Sequence, residues 1–307
     1  MQEALDSSTL NFNQDALLLL NISLAIIMFG VALDLKVKDF RYVAKNPQSF
    51  LAGLFSQFFL LPGLTLLLVS LIQPPPSVAL GMFLVAACPG GNISNFMTHL
   101  AKGNTALSIS LTAFSTAFSV VLTPLNFAFW SKLYGPSAQM LKEISLSYFE
   151  VFQTVALILG IPLVIGMYIN SHYPKWSMRA TKILKPLSML IFAGFVVIAF
   201  IGNYDLFLKF IALIFVWVLA HNFIALSGGF ITAKTFRLPL EDTKTLTIET
   251  GIQNSGLALV LIFTYFDGLG GMAIIAAWWG IWHIISGMTI AGILKNFQSQ
   301  KSVSLSS

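Results

Sequence analysis

Two short segments of this 307-residue chain concentrate oxygen-bearing side chains inside otherwise apolar sequence. One reads Cys88-Pro89-Gly90-Gly91-Asn92-Ile93-Ser94-Asn95-Phe96-Met97-Thr98, the other Thr247-Ile248-Glu249-Thr250-Gly251-Ile252-Gln253-Asn254-Ser255-Gly256. Glu249 is the one acidic residue that falls well inside an apolar stretch. Carboxylate, hydroxyl and amide oxygens together suit a hard cation, and the lack of thiolates or a His pair beside them disfavours zinc and copper. A single carboxylate is little charge for a divalent ion, so the expected ligand is an alkali cation, Na⁺. The competing reading is a neutral, protonated Glu249 packed against another helix.

The same segments predict broken helices. Pro89 lacks an amide hydrogen, Gly90 and Gly91 weaken helical preference, and Gly251 and Gly256 bracket the second cluster. Interrupted membrane helices at comparable places in two halves of a chain point to an ion or substrate site. Half-helix ends and unwound carbonyls supply directed dipoles there.

The elements that must hold these segments follow from composition. Residues are 56% apolar and 9% charged, against roughly a quarter charged in a soluble domain. Nine apolar stretches are expected to span a bilayer, making one all-α, polytopic unit over residues 16–296. They run from Ala16 to Leu33, Phe50 to Ile72, Val78 to Met97, Ala106 to Trp130, Tyr148 to Ile169, Leu187 to Gly202, Leu208 to Ile231, Leu246 to Phe266 and Met272 to Leu294. Short Pro- and Gly-rich turns join them, and only the segment between Ser131 and Ser147 has room for a surface helix. The acidic start, with Glu3 and Asp6, is expected not to be a cleaved signal. The lone Cys88 excludes an internal disulfide and any multi-cysteine metal site.

Charge placement sets the expected orientation. Lys36, Lys38, Arg41, Lys45, Lys102, Lys175, Arg179, Lys182, Lys185, Lys234, Arg237, Lys244, Lys295 and Lys301 fall on one side, and Lys132, Lys142 and Lys209 on the other. Basic loops resist translocation, so the N-terminus is expected outside and the C-terminus in the cytoplasm of a cell that holds the protein in its inner membrane. Positive charge spread over five such segments forms no nucleic-acid patch.

With Gly103-Asn104-Thr105-Ala106-Leu107-Ser108 between them, the two motifs resemble those of the bile acid:sodium symporter family. The similarity runs from Met28-Phe29-Gly30 to His283. The resemblance implies an inverted-repeat transporter in which a core (residues 50–130 and 208–294), with two crossing broken helices, moves against a panel (residues 16–34 and 148–202). It implies two Na⁺ as coupling ions and an organic anion substrate such as a bile acid or smaller carboxylate; no organic cofactor and a monomer are expected. One sodium site would use Ser94, Asn95, Ser108, Thr112 and Glu249. The second would use Gln57, Glu249 and Gln253 with carbonyls of Thr250 and Ile252, and Asn92, Asn254 and His283 would line the substrate cavity. The sequence departs from the family pattern in Asn92-Ile93, where Thr-Ala is common, in Ile284 beside His283, and in having nine spans with four in the first repeat.

Several of these positions have plainer readings. Gln57 in Leu54-Phe55-Ser56-Gln57-Phe58-Phe59 could be an amide bonded between helices. Ser108 and Thr112 share a helical face, but such hydroxyls often bond their own i−4 carbonyl. His283 could equally serve an interhelical hydrogen bond, and His221 reads as structural. Trp278, Trp279 and Trp282 read as packing or interface anchors. A proton-coupled or uncoupled carrier using Glu249 is the alternative transport reading. A hydrolase built on Ser255 and His283 lacks the Gly-x-Ser context of a nucleophile elbow, so no enzyme is expected.

Overall fold

A computed structural model describes residues 3–9, 14–33, 47–144, 148–202 and 204–297. Lys36, Lys38, Arg41, Lys45 and Lys301, part of the expected basic bias, lie outside them. The regular elements among the described residues are helices. They are α1 (Glu3–Asp6), α2 (Gln14–Ala32), α3 (Pro47–Ile72), α4 (Pro76–Ala87), α5 (Ile93–Leu100), α6 (Thr105–Leu133) and α7 (Gly135–Ile144). Then come α8 (Tyr148–Val155 continuing into Ile161–His172), α9 (Pro174–Gly202), α10 (Tyr204–Thr235), α11 (Leu240–Gly251), α12 (Ser255–Tyr265) and α13 (Gly270–Lys295). Five of them, α3, α6, α8, α10 and α13, are long and apolar enough to cross a membrane.

Two of the nine apolar stretches are interrupted, and they are the two expected. α4 stops at Ala87, Cys88 is extended, and α5 restarts at Ile93. α11 stops at Gly251, Ile252 is extended, and α12 starts under an Asn254 cap whose Oδ1 accepts from Leu257 N at 3.1 Å. The freed backbone groups satisfy one another across the crossing, which a buried break requires. Gly91 N donates to Ile252 O at 2.8 Å and Asn254 N to Pro89 O at 2.9 Å, so the breaks pair as a short antiparallel bridge between Gly90 and Gln253. The glycines permit this approach: a Cβ on Gly91 would lie 3.0 Å from the Gln253 carbonyl oxygen.

Apolar and polar halves then separate. α4 and α12 carry the apolar halves and, with α13, make the centre of the largest hydrophobic cluster, where Trp279 is fully buried. α5 and α11 carry the polar halves. α11, Leu-Glu-Asp-Thr-Lys-Thr-Leu-Thr-Ile-Glu-Thr-Gly, is buried from Asp242 to Gly251 despite its composition, packed most extensively on α10. Gly229 of α10 lies against Leu246 O and the Thr250 side chain, which lets those two helices close up.

Two boundaries differ from the sequence expectation for a physical reason. Hydropathy marks only the apolar part of a helix, so α9 starts at Pro174 instead of Leu187 and α11 at Leu240 instead of Leu246. Proline suits a first helical turn, whose amide has no partner in any case. α3 and α8 each pass through a π turn, Ser56–Leu60 and Ala156–Gly160, where Leu61 N and Ile161 N reach back to the carbonyls of Ser56 and Ala156. Pro62 and Pro162 follow directly, and their missing amide hydrogens break the ordinary ladder there. The α7 helix forms within the segment expected to hold one, and buries Leu141.

The crossing predicts a contrast between two glycines. Gly91→Val should lower the melting temperature in detergent by several degrees, an overpacking cost of about 1–3 kcal/mol. Gly194→Ala, inside α9 where a Cβ meets nothing within 4 Å, should not lower it and should raise it slightly, since alanine is the better helix former.

A candidate cation site at the helix crossing

The Glu249 carboxylate, in a residue 5% exposed, is the centre of the site. Ser94 Oγ donates to its Oε1 at 2.6 Å, Ser108 Oγ donates to the same oxygen, and Thr112 Oγ1 donates to Oε2 at 3.1 Å. Asn95 Oδ1 lies within reach of the same two hydroxyls, 2.8 Å from Ser108 Oγ and 3.3 Å from Thr112 Oγ1, so each single hydroxyl proton is shared between the amide oxygen and Glu249. The five residues assigned to the first sodium site are therefore in one hydrogen-bonded group, drawn from α5, α6 and α11. Each helix contributes by its period: Ser108 and Thr112 lie one turn apart, so both face Glu249.

The residues assigned to the second sodium site also meet. Gln57 sits in the π turn of α3, which adds one residue to the turn and turns its amide inward. Its Nε2 donates to Cys88 O at 2.9 Å and to Gln253 Oε1 at 2.7 Å, while Gln253 Nε2 donates to Thr250 O at 2.8 Å and to Gln57 Oε1 at 3.2 Å. Ile252 O accepts from Gly91 N, leaving its second lone pair. The interhelical amide bond weighed for Gln57 thus exists in this arrangement. A cavity of about 10 Å³ separates Gln57 from Glu249 and is lined also by Gly53, Leu54, Leu111 and Ser115. That is the volume of about one water-sized sphere.

Of the residues assigned to substrate, Asn92 Oδ1 and His283 Nδ1 are buried without a hydrogen-bond partner. Asn254 uses its Oδ1 as the α12 cap, and its Nδ2 lies 3.9 Å from Met28 Sδ of α2. His221 is structural, as expected: its Nε2 bonds Thr65 Oγ1 at 2.8 Å and its ring packs edge-on against Trp279.

Three contributors escaped the sequence reading. Asn222 Nδ2 holds the Gly251 carbonyl at 2.8 Å, Ser56 Oγ bonds Thr250 Oγ1 at 2.8 Å, and Ser115 lines the cavity. A lone Asn in the apolar run of α10 was the available signal for the first. Nothing in the local sequence marks the other two.

Among the described residues no three His, Cys, Asp or Glu side chains gather into a metal-binding group. Among the described residues no cationic side chain is paired with Glu249. An isolated buried carboxylate is costly, and the hydroxyl and amide oxygens around it match a small hard cation better than any side-chain partner on hand.

Comparison with known proteins agrees with this chemistry. The model of the sodium bile acid symporter family matches residues 21–210. The sodium-dependent transporter YocS of Bacillus subtilis is 33% identical over 272 residues, 89% of this chain and 81% of that protein. The chloroplast protein BASS1 of Arabidopsis thaliana, a probable sodium/metabolite cotransporter, is 29% identical over 278 residues, 89% of this chain and 65% of its own length. The human ileal sodium/bile acid cotransporter is 28% identical over 245 residues, 79% of this chain and 68% of that protein. These relatives are transporters, and so is the class to which this multi-pass membrane protein is assigned: the chain belongs to the sodium bile acid symporter family.

Proposed function

We propose that the protein is a nine-span, inverted-repeat symporter that imports an organic anion with two Na⁺ by alternating access. The observation that carries this reading is the buried Glu249 carboxylate, ringed by hydroxyls and, among the described residues, without a cationic partner. With Na⁺ in the first site, the hydroxyl protons of Ser94, Ser108 and Thr112 turn away, and their oxygens join Asn95 Oδ1 and Glu249 around the ion. The second Na⁺ takes Gln57, Gln253 and Glu249 with the Thr250 and Ile252 carbonyls, next to the small cavity.

Two Na⁺ around one carboxylate leave a net charge of about +1 in a low-dielectric interior, where unbalanced charge is costly. A singly charged organic anion restores neutrality. Sodium therefore raises anion affinity, and by linkage the anion raises sodium affinity. Asn92 and His283 offer the anion buried polar atoms that have no protein partner, and Asn254 faces α2 across the way.

The core reading groups α3 to α6 with α10 to α13, and the panel reading groups α2, α8 and α9. Packing supports this division, since α2 contacts α8 and α9 more than any other helices. One end of the boundary is closed: Leu24, Met28, Val151, Val155 and Leu159 share a single apolar cluster with α4 and α12. There Tyr265 Oη donates to Glu150 O at 2.6 Å and is also bonded to Thr154. Towards the end that carries Lys102 and Lys295, the described contact narrows to Ala32, Ala113 and Leu163 with Ala117 and Met167. The basic end is the cytoplasmic one in this reading, so the arrangement is closed to the outside.

Thermal stability of purified protein, with taurocholate and short hydroxycarboxylates in the presence and absence of Na⁺, tests both ion and substrate class. Stabilisation by an anion only when Na⁺ is present is the expected result; stabilisation by an anion with equal strength in K⁺ would sink sodium coupling, and uptake driven by a pH gradient without Na⁺ would make Glu249 a proton carrier instead. Glu249→Gln should remove the sodium-induced stabilisation and sodium-driven uptake while the protein remains folded in the membrane. Gln57→Leu should leave one sodium site, lowering the Hill coefficient for Na⁺ from about two towards one.

A further inference from the structure

The oxygen-bearing side chains do not stop at Glu249. α11 presents Asp242, Thr245 and Glu249 at i, i+3 and i+7, α6 presents Asn104 and Ser108 at i and i+4, and α5 adds Thr98 one turn beyond Ser94. These spacings put each set on one helical face. The set starts at the Glu249 site and descends towards the end of the molecule that carries Lys102, Lys244 and Lys295. Seven residues of helix separate Glu249 from Asp242, about 10 Å of rise.

Contacts join the stripes below the site. Asn104 Nδ2 donates to Asp242 Oδ1 at 2.7 Å and Ser49 Oγ donates to Asp242 Oδ2 at 2.5 Å. Thr245 Oγ1 accepts from Asn104 N at 2.8 Å. A Cβ on Gly103 would touch both the Thr98 methyl and Thr245 Oγ1, at 3.0 and 3.1 Å, so Thr98 and Thr245 flank the same point. Thr98 is fully buried and its hydroxyl has no hydrogen-bond partner. A buried unpaired hydroxyl is an unfavourable thing to keep as interhelical glue, and Thr98 lies one helical turn beyond Ser94 of the Glu249 site.

We propose that this file of oxygens is the route by which Na⁺ passes between the Glu249 site and the cytoplasm, with Thr98 as a mid-route contact and Asp242 as a second, transient cation site at its mouth. Asp242 is 6% exposed and half-buried Asn104 beside it opens the mouth to solvent. A carboxylate in a low-dielectric wall concentrates cations locally and speeds their capture. Lys244 is not paired with it: its ammonium is held elsewhere, donating to Ala101 O at 3.0 Å and Phe297 O at 2.9 Å. The inference rests on the sodium reading of Glu249 and adds a kinetic role that the binding site itself does not require.

Sodium concentration jumps on proteoliposomes adsorbed to a solid-supported membrane, with Na⁺ as the only probe, separate the two. The integrated charge reads binding at the Glu249 site and its half-saturation reads affinity; the decay rate reads access. Asp242→Asn and the near-isosteric Thr98→Val should each slow the decay roughly tenfold, the lower end of what a charged funnel contributes, with half-saturation and sodium-induced thermal stabilisation unchanged. Wild-type decay rates in both variants would overturn the route, as would a raised half-saturation at an unchanged rate, which would make these residues supports of the site. Absence of any sodium-evoked charge in the unsubstituted protein would overturn the sodium reading and the route together, whereas normal charge with unaffected variants removes only the route.

Discussion

A carboxylate held in the middle of a largely apolar helical protein, with no basic partner among the described residues, is the constraint around which the rest is arranged. Desolvating an ionised carboxylate costs several kcal/mol even after relaxation. Three hydroxyl donors reduce that cost at Glu249, and none of them supplies charge. In the proposed function, that deficit is what a cation fills and, through the cation, what an anion answers. A Lys or Arg in the same place would satisfy Glu249 permanently and leave nothing for a cation to do.

The crossing exists to bring oxygens from distant parts of the chain to that carboxylate. Ser94 is 155 residues from Glu249, and Gln57 is 196 from Gln253. Continuous helices could present side chains, but their carbonyls would be consumed in the i−4 ladder. Breaking two helices frees carbonyls at Cys88, Thr250 and Ile252, and the reciprocal Gly91–Ile252 and Asn254–Pro89 bonds keep the unpaired remainder small. The π turn in α3 serves the same end by a gentler distortion, and Asn222 fixes the last carbonyl of α11 from behind.

Much of this was legible from residue order. Proline and glycine next to polar clusters inside apolar runs mark breaks because the physics of the ladder is local. Ser108 and Thr112 could be paired by period alone, and the kinds of oxygen gathered around Glu249 could be named from the two motifs. What escaped was non-local. The stretch Leu240–Thr245 looks like a solvated loop, yet Asp242, Thr243, Lys244 and Thr245 are buried because α10, α5 and α6 close around them. Ser56 and Ser115 carry no signal in their own neighbourhoods, and their relation to the site depends on which face each helix turns inward.

The sequence by itself determined the class of the chain, the two places where helices fail and the kinds of atom gathered there, since each follows from backbone chemistry and side-chain type over a few residues. The tertiary structure decided that the two failures meet, that one carboxylate collects hydroxyls from α5 and α6, and that a polar half-helix is buried while its apolar continuation forms the core. Those outcomes depend on packing between whole helices, some more than a hundred residues apart, where close approach at Gly91 and Gly229 and mutual satisfaction of buried backbone groups select one arrangement.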